Sequence, residues 1–193
     1  MSATTKEKRL LPRLIVNTGD GKGKTTAAAG VLLRAWHHGW SIGAFQFIKS
    51  GKWRSGEAAA LRALGRLHEE TGEGGPVEWY VLGQGWSWSR PGEDVDEATA
   101  RARGGWDEVK ARLARQEHDV YFLDEFTYPL TRGWIDLEDV IETLRERPGV
   151  QHVIITGRNA PEPLIEIADL VTSMTKVKHP FDKGEHGQAG IEW

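Results

Sequence analysis

The stretch Leu14-Ile15-Val16-Asn17-Thr18-Gly19-Asp20-Gly21-Lys22-Gly23-Lys24-Thr25-Thr26 reads as a buried strand, a glycine-rich turn and the opening of a helix. Three glycines let the backbone curl until successive N–H groups point into one concavity, and a helix beginning near Lys24 adds the positive end of its dipole. Polyphosphate is the natural occupant of such a loop. Lys24 would lie along the phosphates as a point charge, and the Thr25 hydroxyl is placed to coordinate a magnesium ion bridging them. The loop is a variant of G-x-x-x-x-G-K-[ST]: Thr18 stands where the first glycine belongs, and Gly19 comes one position later. An ordinary tight turn with exposed lysines is the alternative, and Gly23-Lys24-Thr25-Thr26 between a strand and an alanine-rich helix argues against it.

Around this stretch, hydrophobic periodicity predicts strands at about 13–17, 42–48, 78–82, 120–125, 153–156 and 170–177. Helices are expected over about 24–38, 57–67, 93–116 and 162–168, with a further helical face formed by Leu137, Val140, Ile141 and Leu144. Strand and helix alternate, which predicts an α/β fold: a mostly parallel central sheet with helices on both faces. The helix over 93–116 has Val95, Ala98, Ala102, Trp106, Val109 and Leu113 on one face, and Gly104 with Gly105 should weaken it locally. Residues 1–12 read as a flexible arm, 13–193 as a single domain, and 178–193 as its closing segment.

Composition narrows the chemistry. A net charge of −3 and a pI near 6.2 provide no general drive toward nucleic acid or an anionic membrane, so neither is expected as a partner. The chain has no cysteine, which excludes disulfides, zinc–thiolate sites and thiol catalysis, and its seven histidines show no metal-ligand spacing. Met1 to Arg9 lacks the apolar core of a signal peptide and no later run approaches a membrane span, so a cytoplasmic location is expected.

The ends of the strands carry the remaining polar motifs. Val120-Tyr121-Phe122-Leu123-Asp124-Glu125 is a hydrophobic strand ending in two carboxylates, a Walker B pattern in a chain that has a phosphate loop. Two acids capping the next turn is the plainer reading. Gly83-Gln84-Gly85-Trp86-Ser87-Trp88-Ser89 and Gly157-Arg158-Asn159 follow two other strands, at the edge where open α/β sheets bind ligands. A phosphate loop with magnesium carboxylates says that a nucleoside triphosphate binds. It leaves open whether the terminal phosphate is cleaved or the ribose 5′ carbon is attacked with the whole triphosphate leaving.

Six co-linear segments bear on that choice: Thr18–Ala28, Phe47-Ile48-Lys49, Gly83–Trp88, Leu123-Asp124-Glu125-Phe126-Thr127-Tyr128, Thr156–Pro161 and Val177–Gly184. Together they resemble the ATP:corrinoid adenosyltransferases of the BtuR/CobO type. The resemblance implies a RecA-like P-loop fold, usually a homodimer. It also implies transfer of the 5′-deoxyadenosyl group of ATP to the Co(I) centre of a corrinoid, with release of inorganic triphosphate. The corrinoid would be cobyrinic acid a,c-diamide, cobinamide or cobalamin, and an electron donor such as a flavoprotein reductant would first supply an electron to Co(II). Family members bind ATP in reversed orientation along the loop, which offers a reason for its deviant spacing.

Carried over to this sequence, the resemblance implies that Gly19, Gly21, Lys22, Gly23, Lys24, Thr25, Thr26 and Arg158 contact ATP. Lys24, Thr25 and Glu125 would be catalytic. Magnesium would be held by Thr25 with Asp124 or Glu125, and Trp86 and Trp88 would lie beside the corrinoid's lower face. Three departures stand out: Trp86 replaces a familiar Phe, Asp20 a neutral residue, and 185–190 lacks the lysines associated with this stretch. Asp20 would be repelled by triphosphate and is expected to turn outward. The competing activities are phosphoryl transfer by an ATPase or small kinase, and non-catalytic ATP-dependent corrinoid binding.

Overall fold

Helical crossovers between successive strands force parallel pairing, because each helix returns the chain to the same edge of the sheet. The computed structural model describes residues 11–48, 55–83 and 95–191. In chain order these form β1 (Leu14–Thr18), α1 (Lys24–His37), β2 (Ile42–Gln46), α2 (Gly56–Thr71), β3 (Val77–Val81), α3 (Val95–Arg115) and β4 (Val120–Asp124). There follow α4 (Thr127–Thr131), α5 (Leu137–Glu146), β5 (His152–Thr156), α6 (Glu162–Ile167), β6 (Leu170–Ser173) and a 3-10 turn at Pro180–Lys183. The six strands make one sheet in the order β3-β2-β4-β5-β1-β6, with every neighbouring pair parallel.

This order puts β5 between the strand that delivers the glycine loop and the strand that ends in carboxylates. The register then aligns polar residues along the carboxyl edge: Gln46 lies opposite Asp124, and Asn17 opposite Thr156. Strands β2 and β4 are buried at every position, as a parallel sheet covered on both faces requires. On one face α3, α5 and α6 pack Trp106, Val109, Leu113, Val140, Leu144 and Leu164 over Phe45, Tyr121, Leu123 and Ile155. On the other, Ala28, Leu32 and Ala35 of α1 and Leu61 of α2 cover Ala44, Phe122 and Ile154.

Three expectations are corrected. Helix α3 runs unbroken through Gly104 and Gly105, and Gly105 has a packing role: a Cβ there would stand 2.9 Å from Leu82 Cδ1 and 3.3 Å from the Phe47 ring. Strand β6 stops at Ser173 instead of near residue 177, and all four of its residues are exposed, so it is an edge and contributes little to the core. It stops because Met174 turns: its N–H still reaches Thr18 O at 2.8 Å, while its carbonyl accepts from Gly21 N at 2.7 Å. The short helix α4, with Pro129 inside it, is an addition that the apolar pattern was too short to reveal.

Just before β4, His118 fills the space left by the missing side chain of Gly43 on β2, where an added Cβ would run into the imidazole. His118 is 5% exposed and its ring packs against Phe45 and Tyr121, and Nε2 has no hydrogen-bond partner among the described residues. Burial holds its pKa below the ordinary 6.5, with Glu78 opposing that shift and Arg112 adding to it. The unfolded chain therefore binds a proton that the folded chain resists. Stability is fully present above pH ~6.5 and falls as pH drops through that value toward the depressed folded pKa. His118→Gln is expected to flatten that slope in urea midpoints measured between about pH 7.5 and 5.5; an unchanged slope would contradict it.

Candidate functional site

The loop between β1 and α1 begins with Gly19 at φ 92° and ends with Gly23 at φ 105°, both in the left-handed region that favours glycine. Gly19 and Gly21 also face the backbone of Met174, with ideal Cβ positions 2.7 Å and 2.8 Å from its N and O, so side chains there would collide with main chain. The Gly21 N–H is used by that carbonyl and does not point into the concavity, which departs from the expectation of successive free N–H groups. Lys22 and Asp20 are exposed, and the Asp20 carboxylate still acts on the Lys24 ammonium.

Lys24 is 9% exposed and folds back under the loop, its Nζ donating to Gly19 O at 2.9 Å and Gly21 O at 2.8 Å. Burial pulls its pKa below the ordinary 10.5; the carboxylates of Glu125 and Asp20 oppose this, and the cations Arg158 and Lys22 add to it. Asn17 braces the same turn, its Nδ2 donating to Lys24 O at 3.2 Å. Thr26 donates from Oγ1 to Glu57 Oε1 at 3.0 Å, tying α1 to the start of α2, where Ser55 caps the helix through Ala58 N.

Asp124 is the hub. Its Oδ1 accepts from Thr25 Oγ1 and from Thr156 Oγ1, each at 2.9 Å, and its Oδ2 accepts from Gln46 Nε2 at 3.3 Å. Only 1% of Asp124 is exposed. Glu125 then takes a left-handed backbone, φ 59°, and its N–H donates to Thr156 Oγ1 at 3.1 Å. The reversal ends β4; the Asp124 carboxylate is buried among Thr25, Thr156 and Gln46, while that of Glu125 acts electrostatically on Lys24. Tyr128, half-buried on α4, feels both Glu125 and Arg158, and burial raises its pKa above 10.0.

The structure thus brings together Gly19, Gly21, Gly23, Lys24, Thr25, Thr26, Asp124, Glu125 and the loop bearing Arg158. Trp86 and Trp88 lie outside the described residues. Sequence reasoning did not assign Gln46, Thr127 or Thr156. A polar residue at the buried end of a hydrophobic strand was the available signal for Gln46 and Thr156. Among the described residues no group of three His, Cys, Asp or Glu side chains could hold a metal. The oxygens of Thr25 and Asp124 nevertheless form a hard donor pair of the kind magnesium uses alongside phosphates and water.

Comparison with known proteins decides which of the phosphate-loop chemistries this site serves. The model of a family described as ATP:corrinoid adenosyltransferase BtuR/CobO/CobP matches residues 11–193. This chain belongs to that family. A corrinoid adenosyltransferase of Escherichia coli K12 is 41% identical over 180 residues, which is 93% of this chain and 85% of that protein. One from a Sinorhizobium species is 38% identical over 194 residues, 100% of this chain and 84% of the relative. Among solved structures, the flagellar accessory protein FlaH of Methanocaldococcus jannaschii superposes with a TM-score of 0.51 at 14% identity, covering 90% of this chain and 77% of that one. That likeness concerns the fold alone, a parallel α/β sheet with helices on both faces. The adenosyltransferase is therefore an enzyme acting on ATP and a corrinoid, and no helix among its described residues is long and apolar enough to cross a membrane.

Proposed function

We propose that this adenosyltransferase brings a Co(I) corrinoid against the 5′ carbon of ATP. The cobalt electron pair forms the cobalt–carbon bond, the C5′–O5′ bond breaks, and inorganic triphosphate leaves with the bonding pair. The observation that supports this reading best is the hydrogen-bonded junction of Thr25 with Asp124 directly beside the Lys24 loop, in a chain of this family. Charge develops on the leaving triphosphate, so groups that hold polyphosphate accelerate the reaction even though no phosphoryl group is transferred.

In this reading the backbone of Gly19, Gly21, Lys22 and Gly23 shapes the cradle. Lys24 exchanges its two carbonyl partners for phosphate oxygens, and Thr26 and Arg158 add further contacts, the latter through its planar fork. Thr25 with Asp124 or Glu125 would hold magnesium, which when bound supplies positive charge to the leaving group. Asp124 already accepts three hydrogen bonds and is the better placed to orient the Thr25 hydroxyl. Trp86 and Trp88 would pack beside the corrinoid's lower face. A homodimer, a flavoprotein-type electron donor for Co(II), a single domain over 13–193 and a cytoplasmic setting belong to the same proposal. Phosphorus NMR of a completed reaction should show inorganic triphosphate as the product; ADP with orthophosphate would contradict the proposal and indicate phosphoryl transfer.

A further inference from the structure

The loop that follows β5 departs from ordinary backbone geometry at two of its first three residues. Gly157 has φ 143° and Asn159 φ 53°. Glycine and asparagine accept such a φ readily, and the surroundings fix which of their conformations the loop keeps. Two threonine hydroxyls do so from opposite sides. Thr127, completely buried at the start of α4, donates from Oγ1 to the carbonyl of Arg158 at 2.6 Å. Thr18, 7% exposed at the end of β1, accepts the N–H of Ala160 at Oγ1 at 3.1 Å. The Gly157 N–H adds a bond to Asn17 O at 3.3 Å.

These bonds bracket Arg158 through its backbone and leave its guanidinium out of the clasp. The side chain is exposed, and its charge reaches both Lys24 and Tyr128. The fit at Thr127 is steric as well as polar: a Cβ on Gly157 would collide with Thr127 Oγ1, so the glycine and the hydroxyl occupy complementary space. Position 18 also gains an explanation. The left-handed turn falls at Gly19, φ 92°, so residue 18 needs no glycine and its side chain is available for another task.

We propose that Thr127 and Thr18 are positioning residues that clamp the 157–160 loop and thereby aim Arg158 at the triphosphate, an inference that rests on Arg158 being a triphosphate contact. The strand that presents the glycine loop and the helix that follows the carboxylate strand then also fix the arginine, and the three groups keep one geometry during the reaction. The departure of this loop from the strict phosphate-loop pattern is part of that device, since a glycine at 18 would leave Ala160 N–H without its partner.

The test is steady-state transfer to chemically reduced cob(I)alamin by Thr127→Val, Thr127→Ser, Thr18→Val, Arg158→Ala and the Thr127→Val/Arg158→Ala pair. Loss of positioning should lower kcat of Thr127→Val by about 10–10²-fold with a smaller change in KM for ATP. Thr127→Ser, which keeps the hydroxyl, should restore kcat to within about threefold of wild type, and Thr18→Val should fall in the same direction as Thr127→Val. The double variant should be no slower than Arg158→Ala alone, because both changes remove one function. A multiplicative double variant, or wild-type kcat in Thr127→Val while Arg158→Ala is impaired, overturns the clamp alone. Wild-type kcat in Arg158→Ala overturns the reading on which it rests. If Thr127→Val does not fold, Thr18→Val at wild-type kcat beside an impaired Arg158→Ala overturns the inference equally.

Discussion

Lys24→Ala is expected to lower kcat/KM for adenosyl transfer by about 10²–10³-fold, the usual cost of removing one aligned donor from a site where charge develops. The ammonium is nearly enclosed and held by Gly19 O and Gly21 O, so it is preorganised beside the phosphate path. Its withdrawal also removes the one ammonium held under the loop that the neighbouring carboxylates of Glu125 and Asp20 favour, so Arg158 and Lys22 alone are left to offset them. The fold should survive, because α1 is fixed to the sheet by Ala28, Leu32 and Ala35. The informative readings are initial rates over a range of ATP concentrations together with the thermal midpoint. Activity within about threefold of wild type would contradict the placement of triphosphate along this loop.

Asp124→Asn is expected to cost about 10²-fold in kcat with little loss of stability, which separates the charge of this residue from its shape. Asparagine keeps an oxygen that can accept from Thr25 and Thr156, the two bonds now made to Oδ1. Its amide nitrogen would face the Gln46 amide, which can rotate to present its own oxygen. The hydrogen-bond count is therefore nearly conserved while the negative charge disappears. Asp124→Ala is the contrasting variant: it strips acceptors from two threonine hydroxyls and an amide in a buried setting, and unsatisfied buried groups cost about 1–3 kcal/mol each. Comparing the variants by urea midpoint and by magnesium dependence of the rate tests this. Full activity in Asp124→Asn would remove the carboxylate charge from the account.

Much of this arrangement was legible in the residues. Leu14–Thr18 and Val120–Asp124 are apolar runs of strand length that end in polar residues, and parallel order follows from the helices between strands. The phosphate loop and the two carboxylates were readable because their chemistry demands particular residue types at short spacing. The position of β6 was not, since Leu170-Val171 looks apolar, yet an edge strand with one neighbour remains exposed. The threonine clamp was also hidden. Thr18, Thr127 and Thr156 are far apart in sequence, and a hydroxyl's partner depends on a register that only the folded sheet supplies. Gly105 illustrates the same limit: propensity marks it as a weak point in a helix, whereas in the fold Leu82 and Phe47 pack into the space its missing side chain leaves.

The most direct measurement is an anaerobic incubation of the enzyme with ATP, magnesium and chemically reduced cob(I)alamin, following the corrinoid absorption spectrum and the phosphate products together. The account predicts a light-sensitive adenosylcobalamin spectrum and inorganic triphosphate in equal amount. ADP and phosphate without a new cobalt–carbon bond would contradict it.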